Sequence, residues 1–250
     1  MGAVSSDDRF TEEVARIRAA YARRDASGRR RLYTWTQPDV ALSRYLLQSA
    51  ITPLLSEVGL RDLAQLEFLD VGCGTGGWLR TLQEWGATPQ RLHGIDLLED
   101  RIERARALAP QIDFQSSQGW PLPFETGSLD FVSAFTVFSS ILDADARLEL
   151  AKEMQRVLRP PGLILLYDFR ISDPNNPDTT GIGLAEVRRL FPGRRIRRRL
   201  TTVAPPLQRR LSRVSPLIAH ITEALCPFLR THAVYLLRRG QLSEEPDAST

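Results

Sequence analysis

An α/β fold with a parallel sheet and helices on both faces is predicted by three observations. The first is the stretch Glu67 to Leu79, EFLDVGCGTGGWL, in which short apolar residues run into an aspartate, a glycine-rich turn and a helix start. This is the shape of a strand, a nucleotide-cradling turn and a helix N-terminus. The second is a strand pattern, Arg91 to Leu97, that finishes at Asp96, 20 residues after Gly76. That interval is close to the ~20 residues between a glycine turn and a carboxylate that holds a ribose diol. The third is the alternation of strand and helix patterns as far as Phe169, which implies parallel strands joined by crossover helices. Ligands of such sheets lie beyond the carboxyl ends of the strands.

Before the glycine turn, Asp7 to Asp25 places Phe10, Val14, Ile17, Ala20 and Tyr21 at helical spacing and predicts an amphipathic helix. A basic connector follows, then Leu32 to Pro38, whose Tyr33 and Trp35 either pack that helix onto the domain or close over a ligand. Pro38 opens a second helix that runs to about Val58. The glycines Gly72, Gly74 and Gly77 satisfy the dinucleotide pattern G-x-G-x-x-G, so on their own they leave the ligand open. Asp70 points elsewhere. A carboxylate at the mouth of the turn would repel a pyrophosphate by about a few kcal/mol at moderate effective dielectric and would attract a ligand carrying an ammonium and a sulfonium.

Beyond it, Gly77 to Trp85 and Asp100 to Ala109 are helical, and Ile112 to Gln118 and Leu129 to Phe135 are strands. Asp143 to Leu158 is a helix, and Pro160-Pro161-Gly162 reads as a turn into the strand Leu163 to Phe169. The last third differs in kind. A short helix at Gly183 to Phe191 and an alternating strand at Arg194 to Val203 precede a helical insert, Pro205 to Leu225, interrupted by Pro216. A final strand runs from Arg230 to Arg238, and Gln241 to Thr250 reads as a flexible tail.

With 250 residues, 42% of them apolar and 25% charged, the chain suits one α/β domain with elaborations. Its division is read as a helical cap at 1–60, a main domain at 61–240 with the insert at about 204–227, and the tail at 241–250. The formal charge of +3 is modest and its basic side is almost wholly arginine. Cys73 and Cys226 make neither a disulfide framework nor a metal site. No stretch reaches the length of a membrane span, and the cytoplasm is the expected location.

Four blocks, LDVGCGTGGWL at 69–79, GIDL at 94–97, PLPFETGSLDFV at 121–132 and EMQRVLRPPGLILLYDF at 153–169, occur in one order over about 100 residues. In these the chain resembles the class I S-adenosylmethionine-dependent methyltransferases of the ubiquinone-biosynthesis type, also called methyltransferase domain 11. The resemblance implies a Rossmann-like, seven-stranded sheet that is mostly parallel with an antiparallel last strand. It implies S-adenosylmethionine as cofactor, with S-adenosylhomocysteine as product. Asp70, Gly72, Cys73 and Gly74 would surround its methionine part, Asp96 would accept from both ribose hydroxyls, and Leu97 would pack against the adenine. Where related sequences carry an aspartate for the adenine amino group, this one has Gln118, whose amide oxygen can accept the same bond. Gly119 and Trp120 would line the adenine pocket, and Phe135 and Thr136 the amino-acid portion.

Methyl transfer from a sulfonium is an in-line displacement, so alignment can supply most of the catalysis and a base is needed only for a tightly held proton. The signature of Asn or Asp before two prolines and an aromatic is absent, since the fourth strand ends in Phe135-Thr136-Val137-Phe138-Ser139. That argues against exocyclic base amines as acceptors. With an antiparallel last strand, His232 comes to the ligand end of the sheet, as do Asp168 and Arg170. These three are the catalytic candidates, each weighed against a packing, turn-capping or mutual-pairing role. The insert would lie over the acceptor pocket as a lid. Its apolar stripe, Leu217, Ile218, Ile221, Ala224 and Leu225, would pack onto the domain, or else meet an apolar acceptor or a membrane surface.

The expected reaction is methylation at oxygen or carbon of a small molecule such as a natural product, a quinone precursor, or a sugar or lipid-linked sugar. The alternatives are an RNA or protein methyltransferase using the arginines from 188 to 213, and a cofactor-binding module without transfer activity. Those arginines interleave with strand and helix patterns and acids offset them elsewhere, so nucleic acid is not the expected partner.

Overall fold

The computed structural model describes residues 6–28 and 36–240, with side chains from Phe10 onward. The expectations for Tyr33, Trp35 and the tail fall outside these residues. Among the described residues eight α-helices and seven strands follow one another as α1 (Ser6–Ala26), α2 (Pro38–Glu57), β1 (Phe68–Val71), α3 (Gly77–Glu84), β2 (Leu92–Asp96), α4 (Glu99–Leu108), β3 (Asp113–Ser116) and β4 (Leu129–Phe135). They continue with α5 (Ala144–Val157), β5 (Leu158–Phe169), α6 (Leu184–Leu190), β6 (Arg194–Val203), α7 (Pro205–Val214), α8 (Pro216–Leu225) and β7 (Arg230–Arg239).

All seven strands form one sheet in the order β3-β2-β1-β4-β5-β7-β6. The pairs β1–β2, β1–β4, β2–β3 and β4–β5 are parallel, whereas β7 runs antiparallel to both β5 and β6. The fold is therefore the expected mostly parallel Rossmann-like sheet with its last strand reversed. Central strands are covered on both sides: all four residues of β1, Asp70 included, are buried, as in a sheet with helices on both faces. One face carries α1, α5 and α6 around Leu69, Val132, Ile164 and Tyr235. The other carries α2, α3 and α4 around Phe68, Phe131, Leu165 and Val234.

One boundary differs from the reading of the sequence. Pro160-Pro161-Gly162 lies inside β5, which begins at Leu158. Pairing with β4 shifts register between Leu129 and Phe131, and both prolines face solvent. A proline cannot donate to a ladder, so it is tolerated only at such an irregularity. Gly162 is required by space there, since a Cβ would sit 2.9 Å from the Arg159 carbonyl oxygen and 3.0 Å from that of Asp130. No described helix is long and apolar enough to cross a membrane.

Candidate cofactor cleft

At the carboxyl ends of β1, β2 and β4 lies a cleft of about 800 Å³ counted to its open mouth, the largest part of one wall being α1. Its floor is the turn after β1. Gly72, Gly74 and Gly76 all take left-handed φ values of 69°, 56° and 73°. A Cβ on Gly72 would fall 2.5 Å from Val137 Cγ2, and one on Gly76 would fall 2.5 Å from the Phe114 ring. Both conformation and space therefore demand glycine. The Cys73 N–H donates to the Ile95 carbonyl at 2.9 Å and ties the turn to β2.

Asp96, the last residue of β2, is 7% exposed and lines the cleft. Its Oδ2 accepts the Gly74 N–H at 2.8 Å and its Oδ1 accepts the Leu98 N–H at 2.9 Å. A carboxylate has about four lone-pair sites, so two such bonds fix it and leave acceptor capacity. Asp70 is buried behind the turn, and Ser133 Oγ donates to its Oδ1 at 2.7 Å. Burial pushes its carboxyl up to about 7, with the Asp96 charge adding to the rise and the Ser133 bond opposing it. Burial likewise pushes the Cys73 thiol up, helped by the charges of Asp70 and Asp96. Neither side chain faces the cleft, and of this group it is Gly72 that lines it.

Leu97, Gln118 and Gly119 form the far end, with Arg101 and Ser117 beside them. Gly119 has φ 83° and its N–H donates to Ser117 Oγ at 3.1 Å. Trp120 stands outside the lining, its ring 5.9 Å from that of Phe10. At the near end are Phe135 and Thr136. Thr136 is held at φ 56°, its N–H donating to the Tyr167 carbonyl at 2.6 Å. A non-glycine residue in that region stores on the order of 1–3 kcal/mol, and such strain clusters at ligand sites.

The catalytic candidates are not brought together. β7 does begin at the cleft end of the sheet, yet His232 is 4% exposed, with its ring stacked 5.1 Å from that of Tyr167 and tilted 4.1 Å from that of Phe169. Its Nδ1 shares a hydrogen bond with Thr231 Oγ1 at 3.0 Å, and burial lowers the imidazole to about 4. Asp168 points to the opposite face, buried, accepting the Ser139 N–H at 3.0 Å. Burial raises it to about 6, against the opposing bonds from Ser139 and Phe169. Arg170 does not pair with it. Instead its Nε donates to the Arg230 carbonyl at 2.6 Å, closing the end of β5 onto the start of β7. None of the three lines the cleft.

The lid expectation is also corrected. The insert packs on α2 and on β6, through Gln208 Nε2 to the Asp39 carbonyl at 3.1 Å and Arg209 to Asp39 at 3.4 Å, while α1 walls the cleft. Its apolar stripe is turned outward, with Leu217, Ile218, Ile221 and Leu225 exposed. What the sequence reading missed is Glu13. It lies on the apolar stripe of α1 and is 8% exposed, and it accepts from Arg16 Nε at 3.0 Å and from the Leu142 N–H. Burial raises its pKa, but the bonds from Arg16 and Leu142 outweigh this and hold it below the usual carboxylate range. Arg16 in turn donates to the Ser140 carbonyl. A carboxylate three residues after Phe10 and four before Ile17, with an arginine three residues on, was the available signal.

Residues 68–162 match a family described as methyltransferase domain. A demethylmenaquinone methyltransferase of Lactococcus lactis is 34% identical over 112 residues, 43% of this chain and 43% of that protein. The O-methyltransferase cnsE of Penicillium expansum is 36% identical over 134 residues, 50% of this chain and 46% of its own. The chain thus spans less than half the length of these relatives. Among solved structures, an S-adenosylmethionine-dependent methyltransferase from Mesorhizobium loti superposes with TM-score 0.54 at 18% identity, over 76% of this chain and 98% of the other. The [4+2]-cyclase SpnF superposes with TM-score 0.54 at 17% identity, over 77% and 82%. Residues 68–162 therefore carry a methyltransferase domain, in a chain whose fold is shared with S-adenosylmethionine-dependent methyltransferases.

Proposed function

We propose that the protein binds S-adenosylmethionine in this cleft and transfers its methyl group to an oxygen or carbon of a small molecule. The observation that carries the reading is the buried carboxylate of Asp96, fixed on two backbone N–H groups at the rim of a turn that tolerates no Cβ at Gly72. The chemistry of the donor set fits. Asp96 would accept from the ribose hydroxyls, Gln118 from the adenine amino group, and Leu97 would pack on the ring. The turn at 72–74 would take the methionine part, with Asp70 drawing its ammonium through the buried field and Phe135 and Thr136 alongside. When bound, the cofactor supplies an electrophilic methyl group on a sulfonium.

The acceptor class follows from which bases the cleft offers. Among the described lining residues the carboxylates are Asp96 and Glu13. Asp96 is assigned to the ribose, and Glu13 is engaged by Arg16 and Leu142. The chain's contribution is then to align the acceptor and exclude water. An acceptor that ionises by itself, a phenol or an enol, suits such a site. That choice is supported by the similarity to a demethylmenaquinone methyltransferase and to an O-methyltransferase. Because the similar [4+2]-cyclase shares the fold, fold alone does not assign the reaction.

The test is calorimetric titration of S-adenosylmethionine and NAD into the protein and its Asp96→Ala variant, followed by turnover on hydroxyquinones and phenols. Binding of the former, lost by at least about tenfold in the variant, with methylated product, is expected. Binding of NAD instead would sink the cofactor assignment. Tight cofactor binding with no product from any acceptor would favour a binding module.

A further inference from the structure

The hairpin α7–α8 is inverted with respect to the usual apolar-in arrangement. Its buried positions are Gln208, Ser212, Ala219 and Glu223. Polar bonds hold that face to the body of the protein: Gln208 Nε2 donates to Ser43 Oγ at 2.8 Å, and Glu223 pairs with Arg230 at 2.8 Å. The outer face is apolar. Val214 is 77% exposed, Leu217 64%, Leu225 74% and Phe228 73%, with Ile218 and Ile221 between them. Every exposed position of α8, namely Pro216, Leu217, Ile218, Ile221, Ala224 and Leu225, is without a polar side chain. Single exposed leucines need no explanation, whereas a contiguous apolar face marks a surface that meets something other than water.

Charge says what that is. Arg210 and Arg213 are exposed and fall with Val214 on one face of α7 by helical spacing. From 205 to 229 the single acidic residue is Glu223, which is buried and spent on Arg230. A two-fold contact between copies would set these arginines against their equivalents with no carboxylate of the hairpin to answer them. An anionic lipid surface supplies both halves of the complement, acyl chains for the leucines and isoleucines and phosphate for the guanidiniums. We propose that the α7–α8 hairpin is an interfacial anchor that lays its outer face in the headgroup region of an anionic bilayer. The hairpin joins the end of β6 to the start of β7, which is the cleft end of the sheet. Docking therefore turns the cleft end toward the membrane.

The experiment is flotation of the full chain with vesicles of phosphatidylcholine alone or mixed with phosphatidylglycerol, at low and high salt. The probes are two double variants at exposed positions, Leu217→Asp with Leu225→Asp, and Arg210→Glu with Arg213→Glu, each checked for an unchanged melting temperature. The wild-type protein is expected to float with the anionic vesicles and to lose binding as salt rises. The aspartate pair is expected to bind roughly tenfold more weakly or worse. The glutamate pair is expected to lose the preference for phosphatidylglycerol. Failure of the wild-type chain to float with either vesicle overturns the proposal, as does equal flotation of the aspartate pair. A concentration-dependent dimer in sedimentation that the aspartate pair dissolves, without vesicle binding, assigns the face to a second copy and overturns it too.

Discussion

His232 and Asp70 are buried titratable groups whose shifts have opposite signs. His232 is held neutral, lowered to about 4 from 6.5 by burial. Between those values the unfolded chain binds the extra proton, so this histidine contributes stability above pH 6.5 that is lost as pH falls toward 4. The size is on the order of 3 kcal/mol. Asp168 and Asp70 run the other way, since burial raises their carboxyls to about 6 and about 7 and their ionisation weakens the fold as pH rises. The wild-type profile is therefore composite, and a difference is the useful measurement. Denaturant titrations of the wild-type protein and His232→Phe at pH 4 to 7 should show the wild type losing about 3 kcal/mol more on acidification. Equal slopes would mean the imidazole is not held neutral. Asp70 predicts a ligand effect. A cationic cofactor favours its ionised form, so affinity for S-adenosylmethionine should rise several-fold from pH 6 to pH 7.5, and Asp70→Asn should flatten that rise. A wild-type affinity independent of pH would show that Asp70 does not feel the ligand.

Among the elements, α1 is the one whose role depends on a single polar clasp. Glu13 fastens it to the segment after β4 by taking the Leu142 N–H while Arg16 reaches the Ser140 carbonyl. Glu13→Ala takes the acceptor from the part-buried Leu142 N–H and leaves Arg16 hydrogen-bonded to the Ser140 carbonyl alone, at a cost of about 1–3 kcal/mol. Hydrogen exchange should quicken in α1 and around 140–142 while the amides of β1 and β4 keep their protection. Quickening throughout the sheet would instead make α1 part of one cooperative unit with it. The sequence made α1 legible as a helix because Phe10, Val14 and Ile17 repeat at helical spacing. It did not reveal that Glu13 belongs to the packed side, because a carboxylate beside an arginine three residues on is read as solvated until its other partner, Leu142, more than a hundred positions away, is known. The glycine turn and Asp96 were legible for the opposite reason, their hydrogen-bond partners lying within or just beyond one strand–helix–strand unit, β1–α3–β2. The α7–α8 hairpin shows the limit most plainly. Its helices and its stripe could be read from spacing, but which face is buried is decided by Asp39, Ser43 and Arg230. Spacing is silent about such partners.

For the whole molecule, the cleft is the place where the two ends of the described chain's logic meet: strands β1, β2 and β4 supply the floor, and α1, which packs on one face of the sheet, supplies a wall. A ligand that contacts both must stabilise the assembled state over any in which α1 has left. At about 100 times its dissociation constant such a ligand adds about 2.7 kcal/mol. For a chain of this size, at about 2–4 °C for each kcal/mol, the melting temperature should rise by about 5–10 °C. S-adenosylhomocysteine should produce this rise, NAD should not, and Asp96→Ala should abolish it, because the floor and wall remain but the proposed ribose anchor is gone. The distribution of protection carries the finer information. Amides of α1 and of 136–142 should slow with the ligand by as much as those of the glycine turn, since all three enclose the same space. A melting shift accompanied by protection of the turn alone would mean that the cofactor is held by the sheet without α1. A shift with NAD and none with S-adenosylhomocysteine would return the glycine turn to the dinucleotide reading that its pattern alone permits.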